Sequence, residues 1–144
     1  VVCKRKNNSA IMKLEEYKHI NALHKLLGKI RYGDKLDSDD IDFFATSPLI
    51  VDIHKMVSEE WIKLSKDKGY LSDSDIEKMF FEFESYTGQM FRNRVDNWDS
   101  QMIETIKEWN QEQIEEYAIL MISPLKYDKL ELEKLTDYIT NRVG

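Results

Sequence analysis

The sequence has few of the residues that separate short secondary-structure elements. Its 144 residues include five glycines, two prolines and one cysteine, Cys3. A β-rich chain of this length needs more turn residues, so these counts favour long helices with few connections. A single cysteine excludes an intramolecular disulfide. That fits a cytoplasmic location, which we predict, although a secreted protein without disulfides would have the same count.

Long apolar runs and sheet signals are also missing. No stretch of about eighteen apolar residues occurs, so we predict no membrane-spanning helix and no membrane partner. Residues 1–10 lack the apolar centre of a signal peptide, and we expect them to form a poorly ordered or non-native tail. No Asn-Gly or Asp-Gly hairpin dipeptide is found, and we identify no alternating apolar runs. Residues 11–144 are predicted to form a single helical domain.

The composition is that of a folded, acidic chain. Hydrophobic residues make up 42% and charged residues 33%, which is enough apolar material for a core. The formal net charge is −6 at pH 7. Because nucleic-acid backbones are bound by positive surfaces, this charge disfavours a dedicated nucleic-acid binder.

Apolar residues recur every three or four positions along most of the chain, which predicts helices. Three helix starts carry local signals: Ser47 before Pro48, a capping box of Ser72 with Asp75, and another of Asp128 with Glu131. Either Asp99 or Ser100 is a further candidate N-cap. The predicted helices cover residues 11–32, a short segment from 37, 48–69, 72–92, 99–122, and 128 to the end.

Helix 72–92 is predicted to be central. It carries two apolar stripes, so neighbours should pack on two sides, and Gly88 should allow one of them to approach closely. Helix 99–122 is expected to run antiparallel to it across the turn at 96–100. The predicted fold is all-α, a single compact bundle of five or six helices without a β-sheet.

Two acidic segments could suggest a cation site. Residues 69–75 resemble the second half of an EF-hand loop, but Leu64, Lys66 and Lys68 would occupy its first ligand positions. Lysines repel calcium, so a helix start explains these residues better. Asp37, Asp39, Asp40 and Asp42 form a second cluster, which a hard cation could use. We favour a helix-capping loop there, because negative charge stabilises a helix N-terminus.

Metal and nucleophilic chemistry have few candidate residues. His19 and His24 are five positions apart and do not share a helical face, and His54 has no H-E-x-x-H context. No nucleophile elbow or glycine-rich phosphate loop is present. We therefore predict no catalytic residue, no metal ligand and no cofactor.

The segment 91–98 combines arginines with aromatic residues. Arg92, Arg94, Asp96 and Trp98 are the candidate partner-binding residues, because arginine and tryptophan are enriched at binding hot spots. In the alternative interpretation Phe91 and Trp98 belong to the core and the arginines pair with Asp96 or Asp99.

Elimination leads to three hypotheses about function. The preferred one is a non-catalytic, acidic protein–protein interaction module, such as a regulator, an inhibitor or an immunity- or antitoxin-like partner, that binds a protein with a basic surface. The second is a nucleic-acid-associated protein that uses Arg92, Arg94, Lys25, Lys29 and Arg31. The third is a metal-dependent enzyme or sensor. Homo-oligomerisation is compatible with each of them.

Overall fold

The computed structural model describes residues 17–32 and 45–144. Within these ranges the chain is all-α, with seven helices and no β-sheet. The helices are α1 (Tyr17–Tyr32), α2 (Pro48–Asp67), α3 (Asp73–Glu77), α4 (Tyr86–Asp96), α5 (Ser100–Lys107), α6 (Gln111–Ile122) and α7 (Lys129–Val143). The all-α prediction is confirmed.

Several predictions fall outside the described residues. They concern the tail at 1–10, the first helical turns at 11–16, the stop at Gly33, and the short helix from Asp37 with its cluster of aspartates. Among the described helices, none is both long enough and apolar enough to cross a membrane.

The predicted central helix at 72–92 is wrong as one continuous helix. α3 begins with the predicted capping box, in which Ser72 Oγ accepts from Asp75 N at 3.1 Å, but it ends at Glu77. Phe80 then forms an isolated parallel bridge with Lys126, and Phe81 N donates to the Lys126 carbonyl at 2.6 Å. α4 begins only after Ser85, whose hydroxyl accepts from Gly88 N. The intervening backbone is not helical, because residues near the start of α7 and a turn at 82–85 satisfy its hydrogen bonds.

The side chains at 80–84 alternate between the interior and the solvent, although the extended part ends at Glu82 and residues 82–85 form a turn in which Ser85 N donates to the Glu82 carbonyl at 3.1 Å. Phe81 and Phe83 point inward, where their rings contact Phe91 and Tyr138 at centroid distances of 5.7 and 5.8 Å. Phe80, Glu82 and Glu84 are exposed. The sequence F-E-F-E at 81–84 is thus an alternating run, and interpreting the chain as free of such runs was wrong.

The predicted helix at 99–122 is also divided. Asp99 caps α5 as predicted, with its carboxylate accepting from Met102 N at 2.8 Å. α5 ends at Lys107, and Asn110 with Gln113 forms a capping box that starts α6. The two breaks explain why the described ranges contain seven helices where five were predicted for the same residues. They also remove the expected antiparallel pair of long helices.

α7 takes the central position that was predicted for 72–92. It packs against α4, α5 and α6, and buries one face of five residues: Leu132, Leu135, Thr136, Ile139 and Val143. The same apolar cluster includes Phe81, Phe91 and Trp98. α1 and α2 pack on each other, and α1 also contacts α4.

The capping box predicted at the start of α7 is wrong. Asp128 is the N-cap residue but makes no side-chain capping bond. Glu131 instead accepts from Phe83 N at 3.0 Å and from Lys134 Nζ at 3.1 Å. These two donors lower the pKa of the Glu131 carboxyl. The carboxylate therefore fixes the extended segment to α7.

Candidate functional site

The four predicted partner-binding residues occupy two environments. Arg92 lies partly exposed, where it pairs with Glu84 at 3.1 Å and its guanidinium lies 4.8 Å from the Phe83 ring centroid. Asp96 is exposed and accepts from the Tyr138 hydroxyl at 2.6 Å. Arg94 is 3% exposed and donates to the Ile30 carbonyl, while Trp98 is 5% exposed within the core. A partner could reach only Arg92 and Asp96 of this set, and their role stays a prediction.

An acidic groove runs beside the extended segment, at the start of α7. Its lining contains five carboxylates, one ammonium group and two phenylalanines, and it encloses about 470 Å³. Phe81 and Phe83 are turned inward, and Glu82 and Glu84 face the solvent, where they form one edge of the groove. The bridge between Phe80 and Lys126 then sets this acidic edge against Asp128 and Glu131.

Only part of this acidity is neutralised within the chain. Glu84 pairs with Arg92, and Glu131 pairs with Lys134. In the described ranges, the carboxylates of Glu77, Glu82 and Asp128 form no ion pair or hydrogen bond. Three unpaired carboxylates in one groove produce a negative field that attracts cationic groups.

Large apolar side chains adjoin the groove. Phe80 lines it and is 41% exposed, Tyr127 precedes Asp128, and Leu130 precedes Glu131 and is 62% exposed. Exposed apolar side chains beside polar ones are typical of protein-binding surfaces.

A second polar arrangement is buried between α1, α2 and the end of α6. Arg31 is completely buried and donates from Nη2 to the carbonyls of Leu120 at 2.6 Å and Met121 at 3.2 Å. Its Nη1 donates to the Ser123 carbonyl, and its Nε donates to the Ala45 carbonyl at 3.2 Å. Burial lowers the pKa of the Arg31 guanidinium, which nevertheless keeps its charge because arginine is so basic.

These bonds complete the C-terminus of α6. A helix leaves its last four carbonyls without helical partners. Ser123 N and Leu125 N satisfy the carbonyls of Ile119 and Ile122, and Arg31 satisfies the two between them. The cation also lies at the negative end of the helix dipole, which stabilises it there.

His54 connects this network to a cavity. It is 1% exposed, and its Nδ1 lies 2.7 Å from Arg31 Nη1. Arginine can only donate, so Nδ1 must accept and the imidazole must be neutral. Burial, the Arg31 charge and His24 lower the pKa of His54 to about 3. His24 is stacked on Trp61 with ring centroids 4.3 Å apart, and burial lowers its pKa as well.

The positions of these residues bear on the nucleic-acid and metal hypotheses. Arg31 and Arg94 are buried, so neither can contact a nucleic-acid phosphate. Within the described residues, no three His, Cys, Asp or Glu side chains gather closely enough to hold a metal ion, and the side chain of His19 lies outside that part.

No protein-family model, curated protein or solved structure matches this chain.

Sequence reasoning did not find either arrangement. The F-E-F-E run was a usable signal for the acidic groove, because a two-residue period sends successive side chains to opposite sides. Arg31 offered no such signal, since four of its five partners are main-chain carbonyls.

Acidification is expected to destabilise the fold through His54. The ordinary pKa is 6.5 and the folded pKa is about 3, so between these values the unfolded chain binds a proton that the folded chain does not. Stability is therefore complete above pH 6.5 and decreases as the pH falls, by about 2 kcal/mol at pH 5. Urea unfolding at pH 7.5 and pH 5 measures this change.

The control for this pH dependence is His54→Asn. The asparagine oxygen can still accept from Arg31, but the side chain does not titrate. The free energy of unfolding of this variant should fall less between pH 7.5 and pH 5 than that of the wild type. Protonation of His24 should contribute to the fall in both proteins. Equal losses would contradict a role for His54.

Proposed function

We propose that this chain is an acidic protein–protein interaction module whose groove binds a basic segment of a partner protein. The observation that carries the proposal is the group of three unpaired carboxylates, Glu77, Glu82 and Asp128, beside exposed Phe80. Lysine and arginine side chains of a partner would neutralise the carboxylates, and its apolar side chains would cover the phenyl ring. The net charge of −6 adds a longer-range attraction for the same partner.

The form of the groove suggests how a partner would be held. Its rigid wall is the extended segment, which is anchored at Phe81 N by Lys126 and at Phe83 N by Glu131. A wall fixed at two main-chain positions loses little entropy when a partner binds. We infer that a basic peptide would lie along residues 77–84 and reach Asp128 across the groove.

Peptide binding tests this function directly. The probe is a fluorescein-labelled peptide of alternating arginine and leucine, and the comparison peptide alternates glutamate and leucine. Fluorescence anisotropy at about 50 mM and about 300 mM salt should show binding of the arginine peptide alone, weakening at the higher salt as exposed charges are screened.

Two triple variants separate the groove from general acidity. The triple substitution Glu77→Gln, Glu82→Gln and Asp128→Asn should weaken binding of the arginine peptide at least tenfold, or by about 1.4 kcal/mol. The matched control neutralises Glu59, Glu104 and Glu116, which are exposed carboxylates elsewhere on the helices. Equal weakening in both variants, or no binding by the wild type at low salt, would overturn the proposal.

A further inference from the structure

A mostly apolar cavity of about 380 Å³ lies between α1, α2 and the segments around residues 76–79 and 124–126. This volume is within the range of small-molecule sites, about 300–1,000 Å³. Its apolar wall includes Trp61, Ile62, Ile76, Met79 and Leu125. An apolar molecule could replace water there at a favourable free energy.

One imidazole donor of His54, a residue that lines this cavity, has no partner within the described ranges. Because Nδ1 of His54 accepts from Arg31, the proton of the neutral imidazole must reside on Nε2. In the part of the chain that the structure describes, Nε2 has no hydrogen-bond partner, and His54 lines the cavity. Tyr32 also lines the cavity, but its hydroxyl donates to the Ser123 carbonyl at 3.0 Å. Ser58 adds a hydroxyl to the lining and His24 adds a second imidazole, so Nε2–H is one of several polar groups available to a ligand.

The charges around the cavity are positive. Among the described residues, Lys25 and Lys126 are the charged members of its lining, and both are exposed. Behind His54 lies the guanidinium of Arg31, whose hydrogen-bond partners in the described residues are carbonyl oxygens and a neutral imidazole. A buried charge with neutral partners keeps most of its field, so the cavity favours an anion over a cation.

We propose that this cavity binds a small apolar carboxylic acid, whose carboxylate accepts the Nε2–H of His54 while its hydrocarbon part packs against Trp61 and the adjoining aliphatic side chains. The lysines at the mouth would stabilise the same negative charge. The cavity and the acidic groove share no lining residue, so this second activity stands independently of peptide binding.

Octanoate, 1-octanol and octylamine are suitable probes, because they share one chain and differ in the head group. Isothermal titration of the full chain at pH 7.5 should give saturable binding of octanoate, at least tenfold tighter than 1-octanol, and octylamine should not compete with octanoate. Octanoate should also change the tryptophan fluorescence, because Trp61 forms part of the wall. Absence of saturable octanoate binding at millimolar concentration, or equal affinity for the alcohol, would overturn the proposal.

Gly28 offers a way to block the cavity without disturbing the core. It lines the cavity, and a Cβ built on it meets no atom within 4 Å. Gly28→Leu should therefore occupy the space and reduce octanoate affinity at least tenfold, while the matched Gly28→Ala leaves most of the affinity. Octanoate binding by a folded Gly28→Leu at the wild-type affinity would contradict the assigned location.

Two further variants keep the test decisive if Gly28→Leu does not fold. His54→Leu removes Nε2–H without supplying another donor, and it should lose the preference for octanoate over 1-octanol while 1-octanol affinity is retained. Lys25→Glu reverses an exposed charge and should lower the affinity for octanoate several-fold. An unchanged preference in both variants would overturn the proposed carboxylate contact. The groove triple variant should bind octanoate like the wild type, which distinguishes failure of one site from failure of the other.

Discussion

Replacing Arg31 by methionine is expected to lower the free energy of unfolding by about 3–5 kcal/mol. Methionine fills most of the buried volume but donates no hydrogen bond. The carbonyls of Leu120 and Met121 would then lie buried at the end of α6 without a partner. Each unsatisfied buried acceptor costs about 1–3 kcal/mol. Urea unfolding at pH 7.5 measures the loss.

Buried charges can sometimes be replaced by apolar residues at little cost, provided that their partners are replaced as well. The partners of Arg31 cannot be replaced in this way, because most of its acceptors are main-chain atoms. Arg31→Lys keeps the charge but lacks the planar fork of donors, so an intermediate loss is expected.

Arg92→Met is the matched control for Arg31. Arg92 is also an arginine with hydrogen bonds, and its side chain is 15% exposed, but its partner Glu84 is 76% exposed and remains hydrated when Arg92 is removed. Exposed ion pairs contribute at most about 1 kcal/mol, so this variant should stay close to the wild type. Similar losses at positions 31 and 92 would contradict the role given to the buried network.

Gly88→Ala is expected to destabilise the chain by about 3 kcal/mol. A Cβ at this position would overlap the carbonyl oxygens of Phe83 and Glu82, the latter at 2.5 Å. Both are main-chain atoms, so the extended segment would have to move away from the first turn of α4. That movement would also break the capping bond from Gly88 N to Ser85 Oγ.

The direction of the stability change distinguishes Gly88→Ala from an ordinary glycine-to-alanine substitution in a helix. Alanine is normally favoured over glycine within a helix by about 1 kcal/mol. Gly28→Ala in α1 places its Cβ in open space and should show that ordinary stabilisation, of about 0.4–1 kcal/mol. Thermal unfolding of both variants should give changes of opposite sign, and a stabilising Gly88→Ala would contradict the described packing.

Local rules predicted the helix starts that depend on neighbouring residues only. The capping box at Ser72, the cap at Asp99 and the proline at the start of α2 are present, although Ser47 occupies the N-cap position there without a side-chain capping bond. Each of these signals joins residues within four positions, so the sequence contains both halves of the interaction.

The same rules failed where a distant residue competes for the same group. Glu131 is placed correctly for a capping box with Asp128, but Phe83 N takes its carboxylate instead. Helical periodicity likewise favoured one helix through residues 78–84, until Lys126 and Glu131 supplied hydrogen bonds to an extended backbone. Tertiary contacts thus outweighed a local preference worth less than about 1 kcal/mol per residue.

Neither candidate site could be assembled from the sequence alone. The carboxylates of the groove are unremarkable among 27 acidic residues until the fold groups them. The cavity depends on His54 meeting Arg31 across 23 positions. Gly88 was the exception: the sequence predicted a close approach there, although the neighbour is the preceding extended segment and not another helix.

The hydrogen bonds of Arg31 also set an order of events during synthesis. Its acceptors at Leu120 and Ser123 follow it by 89 and 92 positions. At about 5–20 residues per second, a ribosome needs roughly 5–20 s to add them after Arg31 itself. α1 and α2 can pair during that interval, but the guanidinium must stay hydrated until α6 emerges. The N-terminal half of the nascent chain is therefore expected to reach its final stability only after most of the C-terminal half has been translated.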